Sequence, residues 1–155
     1  MWAMPYADDV VVVAKSEGEM RDMMGTVKDF LEKREMKVNV RKTKIVVFQK
    51  GRGRKGKQEW KWGSENIESV GEVKYLGYKM TYNNKDEAHV RELAKKGGKV
   101  LGQAWGLGER IFGNDLMRRG WLFKKLVKSV MLYGVEIWGW REWEVLERMQ
   151  DRYWR

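Results

Sequence analysis

Two adjacent carboxylates, Asp8 and Asp9, follow Tyr6-Ala7 and precede the run Val10-Val11-Val12-Val13. Neighbouring carboxylates in one structured turn repel each other, and a nearby cation relieves that repulsion. Mg²⁺ suits the pair, because it takes hard oxygen ligands and often uses one or two carboxylates plus phosphate oxygens; Mn²⁺ fits the same donors. Asp is also a favoured turn residue, so a solvated loop is the plainer alternative for the same two side chains. The rest of the composition narrows the chemistry by exclusion. The chain has no Cys and one His, His89, so it has neither a thiolate metal site nor a histidine cluster, and the usual zinc and Cys or Ser/His nucleophilic chemistries drop out.

The elements that must hold the pair come from pattern. Met1 to Pro5 reads as a strand, Tyr6 to Asp9 as a tight turn, and Val10 to Val13 as a strand buried on both faces, since β-branched side chains pack well on a pleated surface. Ser16-Glu-Gly-Glu19 is a capping box that starts a helix. Met20, Met23, Met24, Val27, Phe30 and Leu31 continue that helix as one apolar stripe to about Glu35, and the methionines are core candidates. Ile45 to Phe48 reads as a second buried strand, which makes strand, helix and strand one βαβ-like unit.

Lys50 to Lys57 is a Gly-interrupted cationic loop, either a solvated tip or a phosphate contact. From Gln58 a period of two returns, with Trp60 and Trp62 on one face, and short antiparallel strands follow to Val73–Met80. The two tryptophans suit strand packing better than base stacking. Beyond Asn84 the pattern is helical. One helix carries Val90 to Trp105, weakened by Gly97 and Gly98 and broken near Gly106 or Gly108. Asn114 or Asp115 caps a second, with Leu122, Leu126 and Val130 on a stripe beside Phe123 and Val127 and a stop at Gly134. Glu142 to Tyr153 makes a third. Trp138, Trp140, Trp143 and Trp154 suit burial between these helices, and His89 reads as a surface residue without a metal role.

The chain of 155 residues has room for one core or two small lobes sharing one. Lys and Arg number 32 against 22 Asp and Glu, a net charge of +10 that points to a polyanionic partner, most often nucleic acid. The opening residues lack a signal-peptide pattern and no stretch is long enough to span a membrane, so the expected location is intracellular, in cytoplasm and nucleus, with no membrane partner.

Tyr6-Ala7-Asp8-Asp9, the valine run and the amphipathic helix together resemble the metal-binding hairpin of reverse transcriptases, in the YADD form of LINE-type non-LTR retrotransposon enzymes. The resemblance continues in order. Met36-Lys-Val-Asn39-Val-Arg-Lys42-Thr43 is similar to that family's L-N-x-x-K-T stretch, and Val73-Lys-Tyr75-Leu76-Gly77 to its YLG primer-grip hairpin. Leu132-Tyr133-Gly134-Val-Glu136-Ile-Trp138 is similar to the LYG-x-E-x-W signature late in the thumb.

The resemblance implies an α+β fold, with the C-terminal half of a polymerase palm over residues 1–82 and an all-helical thumb-like region over 83–155. It implies that Asp8 and Asp9 bind Mg²⁺ (or Mn²⁺) in two-metal nucleotidyl transfer and that Lys42 acts near the pyrophosphate as proton donor or charge clamp. Tyr6 would lie near the primer terminus or templating pair, and Tyr75, Leu76 and Gly77 would hold the primer, with Gly allowing close backbone approach. Arg52, Arg54, Lys55 and Lys57 would follow phosphates. The implied partners are an RNA template with a DNA primer, or their hybrid, and deoxynucleoside triphosphates. The family's third catalytic carboxylate belongs to an earlier palm strand, whereas five residues precede Tyr6 here and Asp22 and Asp29 fall on the helix. The chain is therefore expected to be the C-terminal part of such an enzyme, inactive in primer extension by itself, or a non-catalytic nucleic-acid-binding remnant. Self-association through an exposed sheet edge is a further expectation.

Overall fold

The computed structural model describes residues 2–49 and 58–154. The fold is α+β, and the chain divides into two compact units: residues 1–45 with 54–70, and residues 46–53 with 71–155. The basic loop residues Arg52, Arg54, Lys55 and Lys57 lie outside the described residues.

In the first unit, β1 (Trp2–Tyr6) and β2 (Asp9–Val13) form an antiparallel two-stranded ribbon. Helix α1 (Glu17–Glu32) follows, and its start is local chemistry. The Ser16 hydroxyl accepts from the Glu19 amide at 3.2 Å, while the Glu19 carboxylate accepts from the Lys15 amide at 2.7 Å, one residue earlier than in the usual reciprocal box. Strand β3 (Lys44–Ile45) runs parallel to β5 (Glu65–Ser69), which pairs antiparallel with β4 (Trp60–Trp62).

The expected βαβ unit does not form, because β2 pairs with β1 and β3 joins a different sheet. The valine strand is not buried on both faces either: Val10 is 56% and Val13 46% exposed. A β-branched run records preference for a pleated surface, and burial then requires a second layer that the ribbon alone cannot supply. The buried residues of this unit include Met23, Val40, Trp60 and Ile67. Trp60 is therefore packed, with the Arg21 guanidinium 5.0 Å from its ring centroid, and does not present a stacking face.

The second unit begins with Val46 and Val47, half-buried, and Phe48, exposed, so the expected buried strand over Ile45 to Phe48 shrinks to β3. Strands β6 (Glu72–Tyr75) and β7 (Tyr78–Thr81) make a hairpin that packs with the helices. Helix α2 (Glu87–Phe112) is unbroken through Gly97, Gly98, Gly106 and Gly108 and stops at Gly113, where φ is +51°. The expected break is absent because two of these glycines are contact points: an added Cβ would lie 2.9 Å from Met131 Cγ at Gly97 and 3.3 Å from Arg119 Cγ at Gly108.

Helix α3 (Leu116–Leu122) is capped by the Asp115 carboxylate on the Arg118 amide at 3.0 Å. It passes through a π-helical turn (Phe123–Val127) into α4 (Lys128–Met131). The extra residue in that turn shifts the stripe, so Met131 is buried while Leu126 is 40% exposed. Helices α5 (Val135–Trp138) and α6 (Glu144–Trp154) close the unit over a core that includes Val90, Leu93, Phe123, Val127 and Tyr153. Of the late tryptophans, Trp138 is buried as expected, whereas Trp140 is 87% exposed. No helix among the described residues is long and apolar enough to cross a membrane.

Candidate functional site

Tyr6 pairs with Asp9 across the ribbon, so Ala7 and Asp8 form a two-residue hairpin loop. Ala7 has a φ of +50°, a conformation that glycine normally supplies and that costs an alanine about 1–2 kcal/mol. Such strain, held by the pairing on either side, fixes where the next two side chains start. Tyr6, Asp8 and Asp9 are all exposed, and neither carboxylate takes part in an ion pair or side-chain hydrogen bond among the described residues. Two hard-oxygen donors facing water fit the donor chemistry of a divalent cation that keeps its remaining positions for water and phosphate. Among the described residues no group of three His, Asp or Glu gathers to complete an all-protein site.

Lys42 belongs to the same unit and is positioned by Asn39. Its amide donates to the Asn39 carbonyl at 3.0 Å and to the Asn39 side chain at 3.2 Å, and the Thr43 hydroxyl donates to the same carbonyl at 3.0 Å. Asn39 and Thr43 thus build a turn that leaves Lys42 exposed. No ion pair or hydrogen bond joins Lys42 to Asp8 or Asp9 among the described residues.

The second unit carries Tyr75, Leu76 and Gly77. Tyr75 pairs with Tyr78, so Leu76 and Gly77 are the loop residues of the β6–β7 hairpin, with φ of +45° and +82°. Positive φ at both loop positions is what a type I′ turn requires. The Tyr133 hydroxyl donates to the Leu76 carbonyl at 2.6 Å, and a Cβ on Gly77 would lie 2.9 Å from the Tyr133 ring. The close approach that Gly77 permits is therefore made by Tyr133. Gly134 follows with φ of +68°, and the Trp138 indole donates to the Tyr133 carbonyl at 3.0 Å. In this way the residues of the Leu132–Trp138 segment clamp the hairpin loop.

Three further links tie the hairpin to α2. Tyr78 donates to Asp86 at 2.6 Å; burial, and then that acceptor, push its phenol above the usual range. The Lys79 amide donates to His89 Nδ1 at 3.3 Å, and the imidazole lies 4.1 Å from the Tyr78 ring and 6.5 Å from that of Trp138. His89 is 1% exposed, which corrects the surface reading, and burial pulls it below the usual imidazole range. Glu92 receives Lys96 at 2.7 Å and Lys74 at 3.0 Å, and these hydrogen bonds lower its carboxyl to about 2. The same carboxylate holds the Lys96 ammonium above its ordinary range.

The family described as reverse transcriptase (RNA-dependent DNA polymerase) matches residues 3–80, half of the chain. The chain belongs to the reverse transcriptase family. No curated protein and no solved structure matches it. The segment shared with reverse transcriptases contains Tyr6, Asp8, Asp9, Lys42 and the Tyr75–Gly77 loop, and ends before α2.

Sequence reasoning missed what His89 and Tyr133 do in this reverse transcriptase chain. For Tyr133 a signal existed, since a Tyr-Gly pair after a helix marks a turn beside a polar aromatic. For His89 none did, because its burial depends on Tyr78 and Trp138, which are far from it in the chain.

Proposed function

We propose that this chain forms the later palm and the thumb of a LINE-type, non-LTR retrotransposon reverse transcriptase and contributes to RNA-directed DNA synthesis. The observation that most favours this reading is the ordered series YADD, N-V-R-K-T, YLG and LYGVEIW, in which the last two meet through the hydrogen bond from Tyr133 to Leu76. Asp8 and Asp9 hold Mg²⁺, with Mn²⁺ as the substitute. When bound, it supplies Lewis-acid stabilisation of the attacking 3′ oxygen and the departing pyrophosphate. Lys42 neutralises charge on the triphosphate. Tyr6 packs at the primer terminus, and the Tyr75–Gly77 loop holds the primer strand. Arg52, Arg54, Lys55 and Lys57 follow the backbone of the RNA–DNA hybrid, in keeping with a net charge of +10.

The test is binding of a recessed RNA–DNA hybrid across a salt series, with capture of a deoxynucleoside triphosphate followed as Mg²⁺ is added. Affinity that falls steeply with salt, together with Mg²⁺-dependent capture lost in Asp8→Asn and Asp9→Asn, is the expected result. Binding that is flat across salt, or capture indifferent to both substitutions, overturns the reading.

A second reading, a non-catalytic nucleic-acid-binding remnant, is favoured by the two-carboxylate site, around which no third acid gathers among the described residues. Primer extension with Mg²⁺ bears on the difference. The isolated chain is expected to bind the hybrid without extending it, and Asp8-dependent synthesis would rule out the remnant.

A further inference from the structure

We propose that Tyr133 is a positioning residue for the primer: its hydroxyl holds Leu76 in the left-handed conformation that gives the Tyr75–Gly77 loop its shape. The role of the loop rests on the proposed function, whereas the conformational claim stands on geometry alone.

The argument starts from the backbone. A hairpin loop with positive φ at both positions normally uses Asn, Asp or Gly, because a branched side chain in the left-handed region crowds the following carbonyl. Gly77 satisfies that rule at φ +82°, but Leu76, at +45°, does not. A bulky residue stays in such a region only where its surroundings over-determine it. Here the surroundings are visible. The Leu76 carbonyl receives the Tyr133 hydroxyl at 2.6 Å, and the Tyr133 ring fills the space that a Cβ on Gly77 would need. Tyr133 is itself anchored, because its own carbonyl receives the Trp138 indole at 3.0 Å and the next residue, Gly134, turns the chain at φ +68°.

Leu76 is 42% exposed, so part of its apolar surface at the loop stays open to solvent. A local sequence that uses Leu where Gly would fold more easily, and then recruits a distant tyrosine to hold it, presents an apolar side chain at a fixed place. Against a nucleic acid strand, that side chain offers contact to sugar and base faces and none to phosphate. The recognised feature is therefore the primer end of a recessed hybrid, as distinct from duplex backbone in general.

The full chain carrying Tyr133→Phe tests this, since Phe keeps the ring against Gly77 and removes the hydroxyl alone. Two quantities are read: amide exchange at Tyr78 and Gly77, and affinity for a recessed RNA–DNA hybrid relative to a blunt one. Expected are faster exchange at the loop and a loss of about threefold to tenfold in preference for the recessed hybrid, the range one hydrogen bond contributes. The unfolding midpoint serves as a control and is expected to fall by no more than the loss of that one hydrogen bond accounts for.

In the Leu76→Gly background the loop no longer needs holding, so Tyr133→Phe should leave exchange unchanged there. Loop exchange unaffected by Tyr133→Phe in the unsubstituted chain, or faster to the same extent in the Leu76→Gly background, overturns the positioning claim. Loosened exchange with unaltered hybrid preference overturns the primer role of Tyr133. If the unsubstituted chain binds no hybrid at all, the proposed function fails and takes the primer role with it, while the exchange results still decide the conformational claim.

Discussion

Two consecutive glycines in α2 separate intrinsic preference from packing. Gly97 and Gly98 have the same helix propensity and read alike in sequence, as a weak point. At Gly98 nothing lies within 4 Å of an added Cβ, whereas at Gly97 that atom would meet Met131 Cγ and Met149 Cε at 2.9 Å. Gly98→Ala should therefore stabilise the second unit by about 0.5–1 kcal/mol, through propensity and a less flexible unfolded chain. Gly97→Ala gains the same term but must displace the methionines at a cost of about 1–3 kcal/mol, so the net change should be a destabilisation of up to about 2 kcal/mol. Urea unfolding of the two variants checks the opposite signs; equal shifts would mean that the contact at Gly97 yields freely. Single positions differ in the same way in what their sequence neighbours disclose. Asp8, Asp9 and Lys42 stand out by type and neighbourhood. The packing partner of a glycine does not, because it comes from helices far along the chain.

Among the elements, those set by their own neighbours could be read and those set by partners could not. Ser16 and Glu19 start α1, and Asp115 starts α3, because caps act within one turn. Helix α6 also follows from local pattern, whereas the stretch whose pattern reads as one strand over Val73–Met80 is two strands, β6 and β7, turned at Leu76 and Gly77. The βαβ unit fails because strand pairing is a long-range choice, and a surface reading of His89 fails because its burial on α2 needs the β6–β7 hairpin packed against it.

That placement has a pH consequence. The groups facing His89 are the Tyr133 backbone, Glu92, Lys96, Asp86 and the Tyr78 ring, with the Lys79 amide on Nδ1, and burial outweighs the Tyr133 contact that favours the protonated form. Burial lowers its folded-state pKa below the ordinary 6.5, so below that value the unfolded chain binds more protons than the folded one. The stability that depends on neutral His89 is present above about 6.5 and is lost as pH falls toward the lowered value. A melting temperature that drops between about pH 7 and pH 5, with a shallower drop in His89→Asn, is expected. Glu92 acts in a separate window: with its carboxyl lowered from 4.5 to about 2, its contribution is complete above 4.5 and is lost as pH falls toward 2. A profile unaltered by His89→Asn would show that the imidazole is not what the acid disturbs.

At the scale of the whole chain, the two units are unequally built, and this makes an order of unfolding predictable. The second unit buries a continuous set of side chains from α2, the π-helical turn, α4, α5 and α6, with Val90 and Val127 at 0% exposure. The first presents its valine ribbon to solvent and buries a smaller group around Met23, Val40, Trp60 and Ile67. Local stability follows buried apolar contact, so amides in the ribbon and α1 should exchange with opening free energies well below those of α2. The carboxylates at the ribbon tip are then carried by the less stable unit, and the Tyr75–Gly77 loop by the more stable one. A ligand that binds only the folded form raises stability by mass action, so hybrid or Mg²⁺ with nucleotide should slow exchange most in the ribbon. Hydrogen exchange read by mass spectrometry across the chain checks this. A single cooperative opening with equal protection in β2 and α2 would contradict it, and would mean that the first unit draws its stability from contacts beyond its own small core.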